Sequence, residues 1–181
     1  VAGTSGPFFD VSFLADGTAL VSQQSIGNGA MPLRLIDFTT SQFSTVNGPT
    51  EMGWATMTAS ADRTHILLQP ASGFVSGSYL YVSGQGFVAQ AILPATDPYG
   101  GAALPGGTVG VQATSPDGSF HVQGNTLNVY DASLQLVTSL AGTATFVTGA
   151  QGLSFSADGQ HLYVGIGSTI FGEFTSGFDA E

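Results

Sequence analysis

Residues Ser154 to Gly165 read SFSADGQHLYVG. Two short segments, alternating or continuously apolar, flank an Asp-Gly pair, which is the pattern of strand, tight turn and strand. Three looser versions precede it: SFLADGTALV at 12–21, TASADRTHIL at 58–67 and ATSPDGSFHV at 113–122. In each, an aspartate stands at the turn: Asp16, Asp62, Asp117 and Asp158. Successive turn aspartates are 46, 55 and 41 residues apart. One chain therefore repeats one hairpin four times, and the question is whether the copies carry chemistry or shape.

Each unit continues in a similar way. TALVSQ is followed by LRLIDF and QFSTV; THILLQ by SYLYVS and FVAQAIL; SFHVQ by TLNVYD and LQLVTSL; QHLYVG by STIFGEF. These segments alternate apolar and polar residues or form short apolar runs, as half-buried strands do. No long run carries apolar residues at helical spacing. A polar residue is expected to close the third strand of each unit: Asp37, Ser83, Asp131 and Glu173. It follows the turn aspartate by 21, 21, 14 and 15 residues, so units one and two share a longer connection than units three and four. The spacing brackets the roughly 40–50 residues of a four-stranded propeller blade. Stacking blades radially buries sheet faces that a lone sheet leaves wet.

The stretch SPDGSFHVQGNTLNVYDASLQLVTSL resembles a blade of the bacterial WD40-like and YVTN-type β-propellers, with its Ser-Pro-Asp-Gly hairpin, apolar strand and closing "VYD". The resemblance runs from Asp10 to about Phe174 and is weaker in unit two, where Arg63 stands in the glycine position. It implies an all-β fold: a β-propeller of about four blades, approximately 8–47, 54–94, 108–141 and 150–176, in one domain or half-propeller over 1–181. The last blade offers three strands. The chain is thus read as part of a larger propeller, completed by further sequence or by another chain, or as a small four-bladed ring with an open final blade. The resemblance implies little about function, because such folds host many activities.

Composition narrows the function classes. The 181 residues contain 26 glycines, no lysine, no cysteine, and only Arg34 and Arg63 as cations against 12 acidic residues, for a net charge of −10. Phosphate recognition needs clustered Lys and Arg, so nucleic acid is not an expected partner. Anionic membrane surfaces are disfavoured for the same reason, and no apolar run has the length to insert. Without cysteine there are no disulfides, thiolate metal sites or cysteine nucleophiles. The Ser/Thr/Gly-rich style suggests an extracellular, cell-surface or periplasmic bacterial protein.

Strands that run up and down place the Asp-Gly turns on one end and the longer connections on the other. Those connections are 24–31, 47–54, 70–77 and 93–108. Loops on a rigid scaffold are where binding concentrates. The candidate ligand residues are Trp54, Tyr99, Asp97, Glu51 and Asn28, and protein or glycan is the expected partner, since Trp and Tyr bring contact area at low entropy cost. Trp54 also reads as core filler at the start of a first strand. The turn aspartates Asp16, Asp62, Asp117 and Asp158 read as structural, because they lack the dense spacing of a calcium loop. His65 and His161 share a repeat position, and His121 is expected in a blade interface beside the counterparts Leu20, Ile66 and Leu162. No metal or cofactor is expected, and no nucleophile motif is present. Asp10 is the one acid on a first strand that would suit a propeller-type hydrolase or dehydrogenase. The favoured reading is a noncatalytic binding module. A structural subunit associating through an open blade edge and a propeller-type enzyme are the alternatives.

Overall fold

The computed structural model describes residues 8–23, 33–46, 52, 55–69, 78–91, 112–123, 128–139, 152–166 and 170–175. These residues contain fifteen strands and no helix. The first sheet joins β1 (Phe8–Phe13), β2 (Thr18–Gln23), β3 (Leu33–Asp37) and β4 (Gln42–Val46) in that order. The second joins β5 (Thr56–Ala59), β6 (His65–Gln69), β7 (Ser78–Val82) and β8 (Gly86–Ala91). The third joins β9 (Gln112–Thr114), β10 (Phe120–Gln123), β11 (Asn128–Asp131) and β12 (Leu136–Ser139). The fourth has three described strands, β13 (Gly152–Phe155), β14 (His161–Ile166) and β15 (Ile170–Thr175). Every neighbouring pair is antiparallel. The first strands pack side by side in the series β1, β5, β9, β13. The chain is therefore all-β, with four antiparallel sheets in an order consistent with a propeller-like fold.

The Asp-Gly hairpins form because one residue in each loop takes a left-handed backbone. That residue is Gly17 (φ 85°), Arg63 (φ 60°), Gly118 (φ 74°) and Gly159 (φ 73°). The preceding aspartate does not share the positive φ. Each loop is closed instead by an N–H bond from this left-handed residue to the carbonyl three positions back, as in Gly17 to Leu14 (3.2 Å) and Arg63 to Ser60 (2.9 Å). A turn followed by a left-handed residue matches the right-handed twist of the strands it joins. Glycine suits the position because it has no Cβ to clash there, and Arg63 tolerates it at some strain.

Side-chain alternation then gives each sheet two apolar faces. Leu14, Leu20 and Leu33 of the first sheet meet Ile66, Leu68, Tyr79 and Tyr81 of the second, with Met52 buried among them. The opposite face of the second sheet places Leu67 and Leu80 against Tyr130 and Leu134 of the third. On the far side of the third sheet, Ala113, Val122 and Val129 are buried, as is Leu162 of the fourth. Burying one such leucine, isoleucine or valine stabilises the fold by about 1.5–3 kcal/mol, so the three seams are the main apolar contribution.

Two details of the repeat differ from the sequence expectation. The first hairpin is one residue shorter than the others: Leu14 N–H bonds to Thr18 O, whereas Ser60 bonds to His65 O, Ser115 to Phe120 O and Ser156 to His161 O. Ala19, not Leu20, is therefore the counterpart of Ile66, His121 and Leu162. Glu173 does not end its strand. It lies inside β15 opposite Tyr163, and Thr175, paired with His161, holds the position that Asp37 and Asp131 hold in their sheets.

The turns also lock one sheet to the next. Ala15 N–H bonds to Arg63 O (3.1 Å), and Ala61 N–H bonds to Pro116 O (2.8 Å). His65 lies under the third turn, where a Cβ added to Gly118 would fall 2.6 Å from its Cγ. Gly17 has the same kind of backbone, yet a Cβ there meets nothing within 4 Å. Gly17→Ala is expected to cost about 1 kcal/mol from the left-handed backbone alone. Gly118→Ala is expected to cost about 3 kcal/mol, because overpacking adds to the backbone term. Equilibrium urea unfolding of the two variants checks the difference, and equal losses would contradict this account of the seam.

Candidate functional site

At the turn end the four aspartates are engaged by their own hairpins. Asp16 Oδ1 accepts the N–H (2.9 Å) and hydroxyl (2.7 Å) of Thr18. Asp62 Oδ1 accepts the Thr64 N–H (3.0 Å) and hydroxyl (2.8 Å) and the Ser60 hydroxyl (2.6 Å). Asp117 Oδ1 accepts the same three kinds of bond from Ser119 and Ser115. Asp158 Oδ1 accepts the Gln160 N–H (3.0 Å) and the Ser156 hydroxyl. Donors aimed at a carboxylate favour its charged form. The Ser119 N–H and hydroxyl bring Asp117 down to about 2, and the Ser60 and Ser156 hydroxyls are the leading causes that lower Asp62 and Asp158.

Ser60, Ser115 and Ser156 have a role that the sequence reading did not assign. Each hydroxyl donates to the turn aspartate two residues on and accepts a backbone N–H five residues on, from His65 (3.0 Å), Phe120 (2.9 Å) and His161 (3.0 Å). The recurring Ser-x-Asp in three of the four units is the signal that could have found them. Leu14 takes this place in the first unit, where the loop is shorter. Asp37 does comparable work at the next turn: the hydroxyls of Thr39 and Thr40, with the Thr39 N–H, hold it at about 2.

Asp10 is a bridge between sheets. Its Oδ2 accepts the Met57 N–H across the first seam at 2.7 Å, while Oδ1 accepts the Val11 N–H at 2.8 Å. Beside it the Ser22 hydroxyl donates to Ala55 O at 2.6 Å. Both atoms of the carboxylate thus carry a structural bond, a simpler role than the metal-binding or cofactor role considered above. Among the described residues no group of three His, Asp or Glu side chains is placed to hold a metal ion.

The second seam, between the second and third sheets, is where polar groups are buried. His121 is 0% exposed; its Nδ1 lies 3.2 Å from Thr114 Oγ1, which contacts Thr58 Oγ1 across the seam at 3.1 Å. His121 Nε2 has no hydrogen-bond partner. Burial first, and the nearby His65 second, push His121 from its ordinary 6.5 to about 4, against the opposing pull of Asp131 and Asp117. Further from the turns the same seam contains Gln69, which ends β6 at 1% exposure, and Gln112, which opens β9. The amide N and O of both side chains are buried without a hydrogen-bond partner. A buried polar group left unpaired costs about 1–3 kcal/mol, so four such atoms at one end of one seam need a physical reason.

That end is also where the longer connections arise, since β6 runs from the turn to Gln69 and β9 starts at Gln112. The candidates Trp54, Tyr99, Asp97, Glu51 and Asn28 lie outside the described residues. Met52, two residues before Trp54, is described and is fully buried in the first seam. Among the described residues no helix is long and apolar enough to cross a membrane.

No family model matches the chain, and no curated protein matches it. Solved structures do. A chain of Kuenenia stuttgartiensis hydrazine synthase superimposes with a TM-score of 0.58 at 18% identity, over 96% of this chain and 48% of that one. This chain thus spans about half the length of that neighbour. In all, 417 solved chains match, so the likeness defines a widely shared architecture and no one activity.

The His121 environment gives a pH dependence with a definite sign. The folded state holds the imidazole neutral, while the unfolded chain takes up a proton below about 6.5. Its contribution to stability is complete above 6.5, falls as pH drops toward 4, and changes no further below that. The loss across this window is on the order of 3 kcal/mol. His121→Leu, which installs the residue found at the equivalent Leu162, is expected to flatten this part of the profile. Urea unfolding of both proteins between pH 7 and pH 4 reads the difference, and parallel profiles would refute the assignment.

Proposed function

We propose that the chain is a noncatalytic β-propeller module of the bacterial WD40-like or YVTN-type, acting outside the cytoplasm, that binds a protein or glycan through the end bearing its long connections. In this reading the four sheets are four blades, the last with three described strands, and they form part of a larger propeller, completed by further sequence or another chain, or a small four-bladed ring. The observation that carries the reading is the contrast between the two ends. Turn carboxylates are satisfied within their own hairpins. At the connection end the Gln69 and Gln112 amides stand buried and unpartnered. Trp54 and Tyr99 supply stacking area in the same reading, with Glu51, Asp97 and Asn28 as polar contacts.

A second reading, a structural subunit of a cell-surface layer or filament that assembles through an open blade edge, has its own observation. Phe8, Phe13 and Phe38 of the first sheet are half exposed on one face.

Binding to a panel of immobilised neutral oligosaccharides tests the first reading. Trp54→Ala combined with Tyr99→Ala is expected to weaken binding about tenfold or more, on the scale of aromatic hot spots. Asp16→Asn, at the turn end, is expected to leave it unchanged. Binding that ignores the aromatic pair but follows the turn would reverse the assignment of faces. Stoichiometric metal in the purified protein, with hydrolytic or dehydrogenase turnover, would favour a propeller-type enzyme instead.

A further inference from the structure

We propose that Asp16–Gly17 is the Asp-Gly pair that isomerises to isoaspartate in the folded chain, and that a serine hydroxyl protects the other two pairs. The modification concerns the turn end and is independent of what the connection end binds.

The sequence contains three such pairs, Asp16–Gly17, Asp117–Gly118 and Asp158–Gly159. An Asp-Gly pair is chemically weak because glycine has no side chain to shield its amide nitrogen. That nitrogen attacks Cγ of the aspartate when the carboxyl group is neutral. A new N–Cγ bond closes a five-membered imide, and the amide proton and carboxyl OH leave as water. Water then adds to one of the two imide carbonyls. Breaking the N–Cγ bond restores aspartate. Breaking the bond between nitrogen and the main-chain carbonyl routes the backbone through Cβ and Cγ and leaves the old α-carboxylate as the branch. The net change is an isomerisation, with water the one co-reactant, consumed and released in equal amount.

In a folded turn the carboxylate must first leave its donors and take a proton, and the glycine N–H must leave the carbonyl that holds it. At two of the pairs a serine opposes the first step. The Ser115 and Ser156 hydroxyls donate to Oδ1 of Asp117 and Asp158 and accept the N–H of Phe120 and His161, so each carboxylate is tethered to both sides of its loop. Donors favour the charged form, which is the poor electrophile. The Ser119 N–H and hydroxyl, with Ser115, hold Asp117 at about 2, and the Ser156 hydroxyl and Gln160 N–H lower Asp158. Leu14 stands where those serines stand. Among the described residues the Asp16 carboxylate is held back from its own loop by Thr18 alone, through the N–H (2.9 Å) and the hydroxyl (2.7 Å), so one local movement releases both bonds. The second step points the same way. Gly17 N–H reaches Leu14 O at 3.2 Å, against 3.0 Å for Gly118 to Ser115 and for Gly159 to Ser156. The second unit is outside the comparison, because Arg63 replaces the glycine there. Isomerisation at Asp16 takes the carboxylate off Thr18 and lengthens a loop that bonds to the second sheet through Ala15 N–H and Arg63 O, so its effect reaches the first seam.

Prolonged incubation of the folded protein near neutral pH, followed by peptide mapping with an isoaspartyl methyltransferase as the probe, tests this. Isoaspartate is expected to accumulate in the Asp16 peptide about tenfold faster than in the Asp117 or Asp158 peptide, the scale of one hydrogen bond to a charged group. In concentrated urea, where the hairpins are lost, the three rates should converge. Ser156→Ala is expected to raise the rate at Asp158 about tenfold, whereas Ser156→Thr, which keeps the hydroxyl, should leave it low; Ser115→Ala makes the same test at Asp117. Asp16→Glu, whose longer side chain cannot close the five-membered ring, should remove the signal from its peptide. The Asn28–Gly29 and Asn47–Gly48 pairs also yield isoaspartate, but with loss of ammonia, and the change in mass sets their peptides apart. Equal rates at the three pairs in the folded protein overturn the proposal. So does an order that persists unchanged in urea, which would trace it to the flanking residues. Serine variants that fold with an unchanged far-UV spectrum yet leave both rates low would refute the protecting role of the hydroxyl.

Discussion

A β-sheet without helices has two faces, and only another sheet is available to cover them. This constraint organises the protein. Each hairpin supplies alternating side chains, and each sheet must find a neighbour on both sides to keep those side chains from water. The second and third sheets are enclosed in this way by the seams on either side of them. The seams are not chemically alike. The first packs leucines against Tyr79 and Tyr81 and is bridged by Asp10 and Ser22. The second mixes Leu67, Leu80 and Tyr130 with Thr58, Thr114, His121 and two glutamines. The third is built on small and branched residues, Ala113, Val122 and Val129.

The hairpins determine where these faces point. A carboxylate oxygen that gathers two or three donors fixes the loop, and the loop's left-handed residue brings its backbone close to the neighbouring sheet. At the third turn this proximity is tight enough that His65 occupies the space a side chain on residue 118 would need. Local turn chemistry and seam packing are therefore one arrangement. The aspartate is a conformational element, and at Asp62, Asp117 and Asp158 the donors it holds also lower its titration.

Much of the fold was legible in the sequence, because it depends on local chemistry repeated four times. Asp-Gly pairs, alternating strands and spacing sufficed to mark the four sheets, and the positive φ of Arg63 shows why a departure from glycine did not hide the second copy. The register was less legible. A loop one residue shorter at Leu14 moves the counterpart of Ile66 from Leu20 to Ala19 and changes which face each residue occupies. Glu173 was misplaced for a related reason: a polar residue within a strand looks like a strand end when only its position along the chain is visible. The buried glutamines carried no signal, since Gln69 and Gln112 resemble ordinary strand residues until the facing sheet is in place. Trp54 and Tyr99 fall on the connections, where pattern gives least guidance.

The third turn contains one substitution whose effect reaches beyond its own loop. Ala15 and Ala61 each pass a backbone N–H to the following turn, but the residue in their place at the third turn is Pro116, which has no N–H to give. Its ring instead lies 3.6 Å from the site of a Cβ on Gly159. The first two junctions are thus pinned by directional bonds, and the third rests at this end on van der Waals contact. Directional bonds resist sliding, whereas apolar contact permits it. Among the described residues the third junction therefore has no turn-to-turn backbone hydrogen bond at this end, and native-state amide exchange would read whether the fourth sheet opens separately from the other three.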